Sequence, residues 1–262
     1  VKKVSYPITK KIVFVFQILF LLIANQANAQ IIISEYTTKY AWRIKDAVNR
    51  AHNVQLAASK LNNTVIQPGQ IFSFNETVGP RTANQGFKEA HVIISGKMVD
   101  GIGGGVCQVA STLHAAALYA GLTMLEEHPH SRTSVYIDPT LDTTVAWGSL
   151  DFKFVNNFTF PIKIETEISL PANGFKKALT IRIVGQSDPN DVKIDFQVIR
   201  KRMYKTKWFL DPNMKPGTKK KREPGTYGYD IVRIRTINGN LAEETKYHYE
   251  PSDRIWDVGP KL

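Results

Sequence analysis

The chain has 262 residues, 43% hydrophobic and 22% charged, with a formal net charge of +11. That balance excludes a disordered polar chain and fits one large domain, or a medium domain joined to a small one. The single cysteine excludes an intramolecular disulfide.

In chain order, the first segment reads as an export signal. Lys2, Lys3, Lys10 and Lys11 precede an apolar run over residues 12–23, followed by the small-x-small site Ala27-Asn28-Ala29. A basic start, a short apolar stretch and a small-residue cleavage site define a secretory signal peptide, expected over residues 1–29. The apolar run is too short to span a bilayer comfortably. An uncleaved signal anchor is the alternative, and membrane contact is then expected only through this segment. Export carries the chain away from nucleic acid, which is not expected as a partner. Beyond the signal the charge is uneven. Residues 30–175 carry 11 basic and 12 acidic side chains, whereas residues 176–262 carry 19 and 11. A basic exported surface suits peptidoglycan or another anionic wall polymer through long-range attraction.

Residues 40–61 read as a helix, because Ile44, Ala47, Val48, Ala51, Val54, Ala58 and Leu61 recur at three- and four-residue spacing. Residues 70–74 alternate as a strand does after the Pro68-Gly69 turn. Residues 90–94 and 97–99 form a hairpin across Ser95-Gly96. A second helix is expected over residues 107–120, ended by Gly121 at the C′ position. Strands follow at 135–137, 143–147, 151–155, 162–168 and 179–184. Residues 185–191 are rich in breakers and mark a boundary. Beyond them, residues 192–200 and 231–237 are strand-like, and Asn238-Gly239 is a strong hairpin turn.

The chemistry centres on Gly103-Gly104-Gly105 and Cys107. Three glycines before a helix let backbone approach a ligand closely. The first helical turn offers free N–H groups and the positive end of the dipole. A cysteine there has a lowered pKa, and the same N–H groups can hold a developing oxyanion. A nucleophile and an electrophilic pocket in one stretch are what acyl transfer needs. A buried structural cysteine is the plainer alternative. A phosphate loop is disfavoured because no G-x-x-x-x-G-K-[ST] pattern is present. No metal and no cofactor are expected: Cys107 has no second cysteine, and His114 stands two helical turns away. His130 is the first choice of base, with His128 competing and His52, His91 and His248 as further options. Asp142 can orient an imidazole as the third member of a nucleophile–base–acid set, or can be a turn residue bonding its own backbone.

Gly103-Gly104-Gly105-Val106-Cys107-Gln108, with Thr112-Leu113 and Ala120-Gly121-Leu122, resembles the signature of the VanW family of exported bacterial proteins. Upstream, Asn53, Ala57-Ala58, the run from Pro68 to Asn75, Val78-Gly79, Gly86-Phe87 and Ala90 fit the same family. Downstream, His128-Pro129-His130-Ser131, Tyr136, Asp142-Thr143-Thr144-Val145, Asp151-Phe152-Lys153-Phe154 and Asn156 continue it. The likeness covers roughly residues 43–185. The tail is similar to the five-glycine β module of cell-surface proteins, through Asp211-Pro212, Lys215-Pro216-Gly217-Thr218, Gly225, Gly228 and Asn238-Gly239. The implied fold is α+β: a VanW-like domain over residues 40–185, with two main helices and a mostly antiparallel sheet, then a small all-β module over residues 192–262. The module is expected to be separable and to bind wall polymers or N-acetylated sugars.

Some members of the family are L,D-transpeptidases that make 3–3 peptidoglycan cross-links with the signature cysteine as nucleophile. The resemblance therefore implies Cys107, His130 and Asp142 as the catalytic set, with Gly103, Gly104, Gly105, Gln108, Ser131 and Tyr136 around the substrate. Hydrolysis by the same residues, and a non-catalytic wall-binding or glycopeptide-resistance accessory role, are the alternatives. Two positions depart from the family pattern: Glu127, where many members have Arg, and Thr140, where many have Gly.

Overall fold

In the computed structural model, residues 30–44, 47–94, 97–170, 174–186 and 188–261 are described. The signal-peptide expectation for residues 1–29 and the Ser95-Gly96 turn lie outside the described residues. Among the described residues no helix is long and apolar enough to cross a membrane.

Strand β1 (Ile31–Ala41) comes first. It occupies positions 40 and 41, where a helix was expected. Ile33 and Tyr40 turn into the core while Glu35, Thr37 and Lys39 face away. Full-length antiparallel pairing with a distant strand outweighs the helical spacing that begins at Tyr40. Helix α1 (Val48–Leu61) follows, then β2 (Thr64–Ile66) and β3 (Ile71–Ser73). Phe74 does not extend that strand. Ser73 caps a short helix, α2 (Phe74–Val78), by accepting the Glu76 N–H at 3.0 Å. The expected hairpin is present as β4 (Glu89–Ile94) and β5 (Lys97–Ile102). Helix α3 (Val106–Tyr119) leads to β6 (Thr123–Glu126), β7 (Lys153–Val155), β8 (Ile162–Ser169) and β9 (Lys176–Gly185).

The main sheet is antiparallel, in the order β1-β9-β8-β2. Strand β9 shows the period-two logic: Leu179, Ile181 and Ile183 are buried, and Arg182 on the other face pairs with Glu35 and Glu167 on its two neighbours. The buried face carries α1 through Val54, Ala57, Ala58 and Leu61, and α3 through Val109, Leu113, Ala116 and Ala117. A second small sheet, β3-β7-β6, adds Phe72 and Phe154, stacked at 4.8 Å with Phe152 beside them.

Helix α3 is buried on nearly every side. Its polar residues survive there because each is bonded. Ser111 Oγ donates to the Thr143 carbonyl at 3.1 Å, and Thr112 Oγ1 donates to the Gln108 carbonyl at 2.7 Å. The chain around α3 from His128 to Trp147 was expected to contain two strands and contains none. Only an isolated bridge joins Ala146 to Leu150. Side chains take up its backbone groups instead: the Thr143 N–H donates to Ser111 Oγ at 3.0 Å, and the His128 N–H to Thr143 Oγ1 at 3.2 Å. The β-branched residues here wrap a helix end rather than join a sheet.

The C-terminal part is all β. Strands β10 (Val192–Arg202), β13 (Gly228–Ile237) and β14 (Asn240–Tyr249) form one sheet, in the order β10-β13-β14. Strands β11 (Thr206–Leu210), β12 (Lys219–Thr226) and β15 (Ser252–Val258) form another, in the order β11-β15-β12. Asn238 and Gly239 both have positive φ, 51° and 79°, as the two-residue turn requires.

Candidate functional site

Three parts of the chain meet at the start of α3. The glycine loop is clamped from α1 by Asn53, whose Nδ2 donates to the Gly104 carbonyl at 3.0 Å and the Lys88 carbonyl at 2.9 Å. Its Oδ1 accepts the Lys88 N–H at 2.8 Å. Gly104 has to be glycine, because a Cβ there would lie 2.5 Å from the His91 carbonyl oxygen. Gly105 caps the helix at φ 107°, a left-handed conformation that an L side chain resists. Cys107 then stands in the first turn of α3, half-buried, its Sγ 3.6 Å from the Val145 carbonyl oxygen. The N–H groups of Val106 and Gln108 bond back to the loop. Among the described residues the Cys107 N–H carries no hydrogen bond, so it is free to meet a developing negative oxygen.

The wrapping segment brings His130 against the thiol. Burial disfavours the Cys107 thiolate, but the hydrogen bond and positive charge of His130, with the Arg81 charge beyond, outweigh it and hold the thiol below its ordinary value. Burial works equally against a charged His130. Tyr136, the Asp142 bond and Cys107 overcome it and raise the imidazole well above its usual value. His130 Nδ1 lies 2.6 Å from Asp142 Oδ2, which also accepts the His130 N–H at 2.9 Å. With Nδ1 committed to the carboxylate, Nε2 is the nitrogen left for sulfur. Burial opposes the Asp142 charge too, yet its bonds to His130 and Tyr249 keep it ionised below the ordinary range. The Tyr249 hydroxyl donates to Asp142 Oδ1 at 2.6 Å. Cys107, His130 and Asp142 thus form one chain of contacts, and its last link, Tyr249, comes from β14.

A family model described as VanW like protein matches residues 49–183, slightly more than half of the sequence. The chain belongs to the VanW family. Uncharacterized protein YoaR of Bacillus subtilis (strain 168) is 44% identical over 119 residues, 45% of this chain and 39% of that protein. Vancomycin B-type resistance protein VanW of Enterococcus faecalis (strain ATCC 700802 / V583) is 30% identical over 115 residues, 42% of each. The chain thus spans about two fifths of the length of these curated relatives. A solved IgA1 protease G5 domain is similar over 29% of this chain and 96% of that one, at 22% identity and a TM-score of 0.19.

Glu127 and Thr140, the two departures noted in the sequence, bond to the same side chain, Arg233. Glu127 is partly buried among His114, Arg233 and Tyr247. His114 Nε2 is 2.5 Å away, Arg233 Nη2 donates at 3.0 Å, and the Tyr247 hydroxyl completes the cluster. Burial opposes the Glu127 charge, but His114 and Arg233 hold its carboxyl far below the usual range. Thr140 adopts φ 75°, where glycine is easier. Its strained backbone is held on both sides: Tyr249 Oη accepts its N–H at 2.7 Å, and Arg233 Nη1 donates to its carbonyl at 2.8 Å. This chain has Glu at position 127, and the positive charge beside it comes from Arg233 on β13.

The other anticipated residues fall at different distances from the thiol. Tyr136 lies edge-on to His130, ring centres 6.4 Å apart, with its hydroxyl 3.5 Å from Ser111 Oγ. Gln108 is fully buried. Its Nε2 donates to Thr38 Oγ1 and the Lys39 carbonyl, and its Oε1 accepts from Arg50 at 2.7 Å. Ser131 is exposed, and its carbonyl accepts the Glu250 N–H at 2.7 Å. His128 pairs with Glu126, His91 with Asp100 and His248 with Asp230 and Glu250, while His52 meets the Gly86 carbonyl. A half-open cleft of about 670 Å³ lies elsewhere, lined by Thr123, Glu126, His128, Arg235 and Glu243. Cys107 is not among the residues that line it. Arg50, Arg81, Arg233 and Tyr249 carried no local signal in the sequence. Only the alternation of Tyr247 and Tyr249 along β14 hinted at an inward face.

Proposed function

We propose that this protein is an exported cell-envelope cysteine acyltransferase acting on peptidoglycan stem peptides. The observation that carries the reading is the Cys107–His130–Asp142 relay at the start of α3, with a lowered thiol and a raised imidazole. In this reading the Cys107 thiolate attacks the carbonyl carbon after the third residue of a donor stem. The Cys107 N–H, at the positive end of α3, faces the oxygen as it gains charge. The C–N bond breaks, and the His130 imidazolium gives its proton to the departing amine of the terminal amino acid. An amine on a neighbouring stem then attacks the thioester and passes a proton to His130, which restores the thiolate and leaves a 3–3 cross-link. Water as acceptor would give hydrolysis by the same steps.

The test uses purified disaccharide-tetrapeptide. The wild-type chain is expected to form the 3–3 dimer and Cys107→Ser none; equal product from both would sink the proposal.

A second reading, a non-catalytic wall-binding or glycopeptide-resistance accessory protein, has its own support. The C-terminal sheet presents Trp208 stacked on Trp256 at 5.7 Å, with Lys219 and Lys221 over the Trp256 ring. Exposed aromatic faces edged by cations suit an anionic or sugar polymer. The name of the Enterococcus relative, a vancomycin resistance protein, agrees with either reading. Wall binding undiminished in Cys107→Ser, with no product from the wild type, would favour the second.

A further inference from the structure

Two arginines that feel the Cys107 charge form no ion pair with a carboxylate among the described residues. Arg50 is on α1, and Arg81 lies in the loop after α2. Each stem runs past a glycine of the loop before α3. A Cβ on Gly103 would fall 2.9 Å from Arg81 Cβ, and one on Gly105 would fall 3.1 Å from Arg50 Cγ. The bare glycines therefore make room for both stems, and both guanidinium groups feel the Cys107 charge.

Their hydrogen-bond partners are neutral. Arg50 Nη2 donates to Gln108 Oε1 at 2.7 Å, and its Cζ lies 6.0 Å from the Tyr136 ring centre. Arg81 Nη1 donates to the Gly79 carbonyl at 3.0 Å, and its Cζ lies 5.5 Å from the Phe74 ring centre. Arg81 Nη2 is buried with no partner. Among the described residues neither arginine joins an ion pair, whereas Arg182, Arg202, Arg222, Arg233 and Arg235 all do. Burial lowers the pKa of both; Asp151, close enough to act on Arg81 but not paired with it, offsets only part of the lost hydration there. Two desolvated cations next to a nucleophile are costly unless something anionic arrives, and a guanidinium matches a carboxylate with paired N–H donors.

We propose that Arg50 and Arg81 form a carboxylate-binding subsite beside Cys107 that takes the free C-terminal carboxylate of a peptide, so that attack falls on the peptide's last amide bond. The word "attack" rests on the acyl-transfer reading; the carboxylate subsite itself does not. In such a peptide the carboxylate carbon is three bonds from the scissile carbonyl carbon, within about 4 Å. Cations whose stems run past Gly103 and Gly105 and that feel the Cys107 charge can meet it there. Gln108 fixes Arg50 from behind, which makes it a positioning residue.

The experiment alkylates Cys107 in the full chain with iodoacetate, an anion, and iodoacetamide, its neutral counterpart. The ratio of the two rates cancels the thiolate fraction, so a shifted thiol pKa cannot mimic the result. The wild-type ratio is expected to exceed that of a small free thiol by on the order of tenfold, the scale of one nearby charge at partial screening. Arg81→Gln and Arg50→Gln should each lower it several-fold, and Arg81→Lys should restore much of it. An unchanged ratio in both Gln variants would overturn the subsite. In a second arm, a stem tetrapeptide should slow iodoacetamide labelling more than its C-terminal amide does; equal protection would overturn the assignment to a peptide carboxylate. Neither arm needs turnover. Loss of the cross-linking proposal with the ratio intact would leave the subsite standing, and the reverse is equally readable.

Discussion

Tyr249 Oη sits 2.6 Å from Asp142 Oδ1, across 107 residues of chain, and the bond runs from a strand of the C-terminal sheet to the carboxylate that orients His130. The basic tail is therefore more than an appended binding surface. Arg233 and Tyr247 enclose Glu127, and Arg235 donates to the Leu118 and Leu122 carbonyls at the end of α3. A cation on those carbonyls does the work of a C-terminal cap.

Tyr249→Phe keeps the ring and removes the hydroxyl. Asp142 loses a donor and the Thr140 N–H loses its acceptor. The expected cost is about 1.5–3 kcal/mol, the range for a buried bond to a charged group, read by urea unfolding. Asp142 should also hold its proton to higher pH. A stability within error of wild type would show that the link contributes nothing.

Arg233→Met should cost about 2–4 kcal/mol, because it leaves Glu127 and Glu243, both partly buried, without their shared cation, with only His114 and Arg235 still beside them. Adding Glu127→Gln should recover part of the loss, since the stranded charge is then gone. Additive losses in the double variant would argue against this account. By the same logic, a chain cut after residue 186 should melt well below the whole protein. A melt unchanged by the cut would instead support the separable module expected from the sequence.

Thiol reactivity provides a third check. Iodoacetamide should label Cys107 at pH values well under the ordinary thiol range of about 8.5, following a titration shifted down from it. His130→Gln removes the largest influence favouring the thiolate and should push that titration upward. An identical profile in the variant would break the proposed relay.

The His130–Asp142 pair sets a pH window for stability. The folded pKa of Asp142 is depressed, so its contribution is complete above about pH 4 and fades as pH falls through the folded value. The folded pKa of His130 is raised. Its contribution is complete below about pH 6.5 and fades as pH climbs through the higher folded value. The destabilisation caused by Asp142→Asn should therefore be greatest between about pH 4 and 6.5 and shrink on either side. Thermal melts of both proteins across pH would show a flat difference if the pair were not ionic.

Gly104→Ala places a methyl group 2.5 Å from the His91 carbonyl oxygen. Backbone on a paired hairpin cannot yield cheaply, so a loss of about 1–3 kcal/mol is expected, together with slower Cys107 labelling. Gly239→Ala meets no neighbour within 4 Å and pays only for its positive φ, which makes it a fitting comparison.

Much was legible in the sequence because it is written locally. The glycine run, the spacing of Val109, Leu113, Ala116 and Ala117, and the Asn238-Gly239 turn each determine their element through bonds and contacts a few residues apart. The resemblance carried by Gly103 to Gln108 pointed to the start of α3, where Cys107 stands. What the tertiary structure decided involves partners far apart in the chain. Which of six histidines meets Cys107 depends on a segment that abandons its strand propensity to wrap a helix end. That Arg50 and Arg81 flank the thiol, and that Tyr249 braces Asp142, follow from elements brought together by burial. A local pattern fixes the shape of a segment; only the packing of those segments fixes which charges share a desolvated space.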